Sequence, residues 1–386
     1  MSLDVMIVNA GQDSFVQIPA SVSLAILLPT ARWTPLARSI IGSMVGVATE
    51  EIAVLVADNS ENPDKLKFLQ KIRNLNPNVI AVAHEKNIGA LSNFIYLHDW
   101  CKNVKFSAIM ADDDWMSPGY HPDAYRALLD RPHASSAAAG TTFVDIGDCN
   151  LVNVNQRSMC GNSPIQRMSQ WNGIVARVTM YNTSRRDTLE AAIQFIKTTP
   201  LNGLTLLEDL WELSRLGFGD FVQLPGPCSL IHYPAQRSIS GDETRRVYES
   251  LYKEAGLSYP FVFFGGLSTA IQCAVFLMGN LSPIADGEQR AACGQQVFRH
   301  LFTNSFLPGV SPESSKAAAA TLFANHPEAW TGFKKYCNPP FSQQPYFDKS
   351  MLDWFIDLIK VFETKTTNEP LLSERFLQFV TGILPI

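Results

Sequence analysis

Four short apolar runs, each broken off by polar turn residues, constrain this chain more than any other feature. Val22–Leu28 stops at Pro29-Thr30, Ile52–Ala57 at Asp58-Asn59-Ser60, Val79–Ala83 at His84-Glu85-Lys86-Asn87, and Phe106–Met110 just before Asp112-Asp113-Asp114. Runs of this length without clean alternation suit strands covered on both faces. Helical segments lie between them: Leu36–Val47 behind Pro35, a good first-turn residue, then Pro63–Asn74 and Gly89–Asn103. The alternation predicts an α/β fold with right-handed βαβ crossovers and a mainly parallel sheet flanked by helices. In such sheets ligands sit beyond the carboxyl ends of the strands, so the polar residues found there are the first candidates for a site.

The rest of the chain is less regular. Ala137–Ile146, Val175–Tyr181, Phe221–Leu224 and Cys228–His232 read as strands, and Asp187–Lys197 and Thr205–Leu216 as helices. After about Gly241 the pattern turns helical: Ser311-Pro312-Glu313 starts a helix, and Asp353, Asp357, Lys360 and Thr364 mark the polar face of another. The switch predicts a domain over residues 1–240 and a helical C-terminal module over 241–386. At 386 residues and 46% hydrophobic, the chain can bury an extensive core for both.

A net charge of −5 argues against nucleic acid as a partner, which wants a basic surface. Seven cysteines, none in a Cys-x-x-Cys pair, indicate neither a zinc ribbon nor a disulfide scaffold and fit a reducing compartment. With no basic and then apolar N-terminal segment, the expected location is cytoplasmic. Phe261–Leu281 is long and apolar enough to be weighed as a membrane segment. However, Gly265-Gly266, Ser268, Thr269, Gln272 and Asn280 dilute it, and a buried helix is the expected reading. The C-terminal helices remain candidates for ligand binding, for joining subunits into a homo-oligomer, or for a peripheral membrane contact. The polar face of Met351–Phe362 is not basic, which favours a core-facing helix there.

Several residues could carry chemistry. The neighbouring carboxylates Asp112, Asp113 and Asp114 repel one another unless a cation or hydrogen-bond donors meet them. At a strand end they could hold Mg²⁺ or Mn²⁺ against a diphosphate, or form a solvated acidic turn before a helix starting near Pro122. Of Glu208-Asp209, near a helix start, one acid could face a cleft as a general base, or both could serve the helix dipole. His232 ends a strand and is either a metal ligand or a hydrogen-bonded strand terminus. Asp58 could accept hydrogen bonds from a nucleobase or ribose, or simply make a turn, as could Asn87-Ile88-Gly89. No Gly-x-Gly-x-x-Gly, Gly-x-x-x-x-Gly-Lys-Ser/Thr, Gly-x-Ser-x-Gly or His-Glu-x-x-His motif occurs in the expected places, which sets aside dinucleotide, P-loop, hydrolase and zincin chemistry.

Over residues 20–240 the stretches Val22–Thr30, Val54–Ser60, Asn87-Ile88-Gly89 with Asn93, Ala108–Asp114 and Leu207-Glu208-Asp209 occur in the order found in the family 2 glycosyltransferases, and together they resemble that family. The resemblance implies a GT-A fold and inverting transfer of one sugar from a nucleotide-sugar donor. It gives Pro29 and Thr30 to the nucleobase pocket, Asp58 to the base, and Asn87 to the donor site. Asp112 and Asp113 go to the nucleotide-sugar, Asp114 and His232 to a Mn²⁺ or Mg²⁺ cofactor, and Asp209 to general-base catalysis. The implied acceptor is a glycan, a lipid-linked molecule or a protein. The chain departs from the family pattern at Ala31-Arg32-Trp33 and at Ser92, and it lacks the Gln-x-x-Arg-Trp of processive members. Competing readings are a non-catalytic carbohydrate-binding or assembly protein on the same fold and a sugar nucleotidyltransferase. The second would need a glycine-rich loop after the first strand, which is absent.

Overall fold

Burial on both faces explains why the apolar runs form the centre of a sheet. In the computed structural model β2 (Leu24–Thr30), β3 (Ile52–Asp58) and β4 (Val79–His84) are buried along almost their whole length, as a helix-covered parallel sheet requires. The structure describes residues 6–8, 15–139, 141–145, 150–154, 157–171, 180–198, 203–225, 229–232 and 265–301. The chain divides into two compact units, one of Met1–Gly161, Val175–Ile193 and Phe218–Thr244, the other of Asn162–Ile174, Gln194–Gly217 and Arg245–Ile386. The second unit thus also draws on two stretches that precede residue 240.

The first unit is built on an eight-stranded sheet. Besides β2, β3 and β4 it contains β1 (Met6–Val8), β5 (Phe106–Ile109), β6 (Ala134–Ala138), β9 (Thr183–Arg185) and β10 (Asp220–Gln223), in the order β1-β4-β3-β2-β5-β9-β6-β10. All neighbours are parallel except β9, which runs antiparallel to both β5 and β6. A second sheet holds β7 (Thr141–Asp145), β8 (Asn150–Val154) and β11 (Ser229–His232), in the order β11-β7-β8. The run Ala137–Ile146, read as one strand, is therefore two. Ala138 closes β6 through a bond from Leu224 N–H at 2.8 Å, and the chain then leaves for the other sheet. Residues 175–179 of the expected strand Val175–Tyr181 lie outside the described residues, and the strand that follows is β9. It is three polar residues long, and Arg185 anchors it by donating to the carbonyls of Ala134 and Leu128 at 2.8 and 2.7 Å.

The helices of this unit begin where their caps dictate. In α1 (Pro35–Ser43) Thr34 Oγ1 accepts from Ala37 N–H, and in α2 (Pro63–Leu75) Asn62 Oδ1 accepts from the N–H groups of Asp64 and Lys65; each has proline at its first turn. The buried stripe of α2 includes Lys65, Leu69 and Ile72. In front of α3 (Ala90–Trp100), Gly89 sits at φ 86°, a backbone conformation that costs glycine nothing. The remaining helix, α4 (Tyr120–Asp130), buries Tyr120, Ala124 and Leu128.

The second unit holds α5 (Pro164–Gln170), α6 (Glu190–Thr198) from Gln194 on, α7 (Gly203–Phe218) up to Gly217, α8 (Gly265–Met278) and α9 (Gly287–Leu301). The Arg167 guanidinium donates to the carbonyls of Leu216 and Gly217 at 2.7 and 3.2 Å, satisfying the end of α7. Phe195 stacks edge-on against Phe276, and α8 packs on α9 so closely that a Cβ on Gly294 would lie 2.4 Å from Met278 Cγ. Within the apolar stretch, Gly265–Met278 forms α8, 14 residues and about 21 Å long, with Ala270, Gln272, Cys273, Ala274, Phe276 and Leu277 buried, while residues 261–264 lie outside the described residues. Among the described residues no helix is long and apolar enough to cross a membrane. The helix expected at Ser311 and the amphipathic segment Met351–Phe362 lie outside the described residues.

Candidate active site

The strand order reverses beside β2. From β2 the chain adds β3 and then β4 on one side, and β5 returns to the other. Such a reversal opens a crevice at the carboxyl edge, where α/β sheets bind ligands. Thr30 ends β2 and Asp112 follows β5, and the two meet across this crevice: Thr30 Oγ1 donates to Asp112 Oδ2 at 2.6 Å. Thr30 is also in register with Asp58 at the end of β3, and Pro29 precedes it, half-buried, opposite Ala57.

A charged network grows from that bridge. Lys65, on the buried face of α2, donates to Thr30 Oγ1 at 2.6 Å and to the Arg32 carbonyl at 2.8 Å, and pairs with Asp58 Oδ1 at 3.0 Å. Both members of that ion pair are buried, Lys65 at 0% and Asp58 at 2% side-chain exposure. Burial pulls the Lys65 ammonium below its ordinary pKa, and Asp58 only partly restores it. Asp58 also accepts from the Ser60 N–H and hydroxyl, both at 3.0 Å. On the other side of the crevice the Arg32 N–H donates to Asp112 Oδ2 at 3.2 Å, and its guanidinium bridges Asp112 Oδ1 at 2.9 Å and Asp113 Oδ2 at 2.6 Å. Burial pulls Arg32 down, but the carboxylates of Asp113, Asp112 and Asp114 outweigh it and hold the guanidinium above its ordinary value. Asp114 is buried and accepts from the Tyr181 hydroxyl.

The loops behind the crevice are held by amides. Asn59 Nδ2 donates to Asn87 Oδ1 at 2.9 Å and to the Gly89 carbonyl at 3.2 Å, while its Oδ1 accepts from Ile88 N–H at 2.8 Å. The Asn87 N–H donates to Glu61 at 2.7 Å. Asn87 therefore joins the loop after β3 to the loop after β4. Asn93 donates to the Ala57 carbonyl at 3.0 Å and its Oδ1 pairs with His84 Nε2 at 2.9 Å. Burial pushes His84 below its ordinary pKa.

Thr30, Asp58, Asn87, Asp112, Asp113 and Asp114 thus share one edge of the first unit. His232 closes β11 of the smaller sheet in that unit, in register with Val144. Asp209 belongs to the second unit, on α7. Burial first, and the neighbouring Glu212 carboxylate second, push its carboxyl up to about 7. One turn beyond it, Glu212 and Arg215 form a buried ion pair at 2.7 Å. The sequence alone does not single out Lys65 or Tyr181, and Arg32 enters it through the departure at Ala31-Arg32-Trp33 and as the arginine that a nucleotidyltransferase loop would need. A signal for Lys65 existed: with Leu69 and Ile72 it follows the i, i+4, i+7 spacing of a buried helix face.

A divalent cation is compatible with this donor set. Four carboxylates, of Asp58, Asp112, Asp113 and Asp114, lie at these strand ends beside Lys65 and Arg32 and offer the oxygen ligands that such an ion prefers. Among the described residues no group of three or more His, Cys, Asp or Glu side chains forms a protein-only metal cage. Mg²⁺-type ions are commonly held by one or two carboxylates with substrate phosphates completing the shell, which this arrangement allows.

No family model matches the chain, and no curated protein matches it in sequence. Among solved structures, residues 1–349 of TarS from S. aureus match with 13% identity and a TM-score of 0.50, over 94% of this chain and 89% of that one. A longer TarS structure matches at 12% identity and the same TM-score, over 94% of this chain; the match spans 53% of that protein, about half its length. A mannosyltransferase from Pyrobaculum calidifontis, PcManGT, in complex with GDP-Man and Mn²⁺, matches at 11% identity over 90% of this chain and 88% of that one. Its TM-score is 0.41. At these identities the TarS likeness establishes architecture alone: a mixed α/β sheet flanked by helices, the fold of the GT-A glycosyltransferases.

Proposed function

We propose that this protein is an inverting glycosyltransferase of the family 2 kind, moving one sugar from a nucleotide-sugar donor to an acceptor hydroxyl. The observation that carries the reading is the bridge from Thr30 to Asp112 across the strand-order reversal, with Asp113 and Asp114 beside it. A diphosphate-bearing ligand entering there meets an acidic rim that needs a cation to receive it.

In this reading the backbone of Pro29 and Thr30 lines the nucleobase pocket. Asp58, already held by Lys65 and Ser60, shapes that pocket through the turn it orders, and Asn87 fixes the neighbouring loop. Asp112 and Asp113 face the nucleotide-sugar, and Asp114, with His232, is assigned to the cation. Mn²⁺ or Mg²⁺, when bound, stabilises the negative charge that builds on the departing nucleoside diphosphate. Asp209 takes the acceptor proton on a carboxylate oxygen. The acceptor oxygen then bonds to the anomeric carbon on the face opposite the leaving group, and the electrons of the broken bond depart with the diphosphate. A carboxyl near 7 is well matched to that task at neutral pH. The acceptor, whether glycan, lipid-linked molecule or protein, is not needed for the first test. Incubation with UDP-, GDP- and dTDP-sugars and Mn²⁺ should release nucleotide from one of them, slowly to water and faster with an acceptor. Asp209→Asn should slow transfer by at least about 10²-fold, the lower range for a positioned base, with donor binding nearly unchanged. Release from none of the donors, or full transfer by the Asn variant, would sink the reading.

A further inference from the structure

Arg32 is fixed at its backbone and loose at its tip. Its N–H donates to Asp112 Oδ2 at 3.2 Å and its carbonyl accepts from Lys65 Nζ at 2.8 Å, so the main chain is pinned on both sides. The side chain is 54% exposed, although its guanidinium bridges Asp112 and Asp113 at 2.9 and 2.6 Å. Asp112 and Asp113 are 5% and 29% exposed, so the guanidinium caps the cluster from its solvent side and can leave it by side-chain rotation alone. A guanidinium fork fits carboxylates and phosphates equally well. It now occupies carboxylate oxygens of the acid cluster assigned to the donor and its cation, and a second cation beside it would be repelled.

We propose that Arg32 is a resident counter-ion of the acid cluster that gives up Asp112 and Asp113 when the donor and its cation arrive, and then binds the donor's diphosphate. This rests on the donor-site reading above and adds a residue that the family resemblance does not supply, since Ala31-Arg32-Trp33 is where the chain departs from the family pattern. While the donor is absent Arg32 shields the carboxylates from one another. Once it is present, the same charge is transferred to the phosphates, so loading the site leaves no buried carboxylate without a cation.

The two roles give effects of opposite sign. In Arg32→Gln, Mn²⁺ alone should bind about tenfold more tightly, because its competitor is gone. UDP, GDP or dTDP, whichever the wild type binds in Mn²⁺, should bind about tenfold more weakly, because a charge-assisted phosphate contact is lost. Arg32→Lys keeps a charge but not the fork, so its Mn²⁺ affinity should stay near the wild type while nucleotide affinity falls between the other two. Electron paramagnetic resonance reads free Mn²⁺, calorimetry reads the nucleotides, and circular dichroism melting confirms that the variants are folded. An arginine that merely props the cluster would, on removal, weaken both ligands; that result overturns the proposal, as does an unchanged nucleotide affinity in Arg32→Gln. If the wild type binds neither Mn²⁺ nor any of the three nucleotides, the donor-site reading falls and takes this inference with it.

Discussion

Lys65→Met removes one ammonium and keeps most of the aliphatic stem, so it isolates what the buried charge does. Asp58 would then sit at 2% exposure with the Ser60 N–H and hydroxyl as its donors, and Thr30 Oγ1 and the Arg32 carbonyl would each lose a donor. Removing one partner of a buried ion pair costs about 3–5 kcal/mol. The two bonds from Ser60 survive, so a loss near the lower end, about 3 kcal/mol, is expected. For a cooperative unit of this size that lowers Tm by about 6–12 °C. Burial already holds the Lys65 pKa below its ordinary value, so the pair as a whole is not a large net stabiliser. Lys65→Met combined with Asp58→Asn should therefore recover much of the loss. Urea unfolding of the full chain, followed by circular dichroism for the wild type, the single variants and the double variant, measures both quantities. A Lys65→Met loss below about 1 kcal/mol, or a double variant as unstable as Lys65→Met, would mean that Asp58 is not left an uncompensated buried charge.

Thr30→Val keeps the shape but removes the bridge between Lys65 and Asp112, and leaving those buried groups short of a partner should cost about 1–3 kcal/mol in the same urea assay. Asp209 gives a pH-dependent test. Its folded carboxyl is raised to about 7, so the stability it contributes is fully present below the ordinary carboxyl pKa of about 4 and is lost as pH rises through about 7. Asp209→Asn, permanently neutral, should match the wild type in acid, gain on it progressively between about pH 4 and pH 7, and hold a constant advantage above that. A difference that does not change with pH would show that Asp209 titrates as an ordinary carboxyl.

The parallel core of the first unit was legible because its determinants are local. Uninterrupted apolar runs at Leu24–Leu28 and Ile52–Ala57, with helix caps at Thr34 and Asn62, announce strand and helix within a few residues of themselves. The acid cluster after β5 was legible for the same reason, since its position follows from the run before it. What was not legible depends on partners far along the chain. Thr183–Arg185 carries no apolar signal and becomes a strand only by pairing with both β5 and β6, and Ala137–Ile146 divides because its two halves find different sheets. Tyr181 reaches Asp114 across 67 positions of sequence, which no local spacing could reveal. Arg32 and Lys65 are ordinary surface residue types whose roles come from the strand ends that the fold sets beside them.

In the proposed function the carboxylates beyond β2 and β5 receive a nucleoside diphosphate with a divalent cation. Crystals grown with Mn²⁺ and the nucleotide that raises Tm most test it directly through anomalous scattering at the manganese edge. One strong peak touching both the diphosphate and the Asp114 carboxylate is expected, with Arg32 moved from Asp113 to the phosphates. A nucleotide bound away from the Thr30–Asp112 edge, with Asp112, Asp113 and Asp114 still closed on Arg32 and Tyr181, would contradict it.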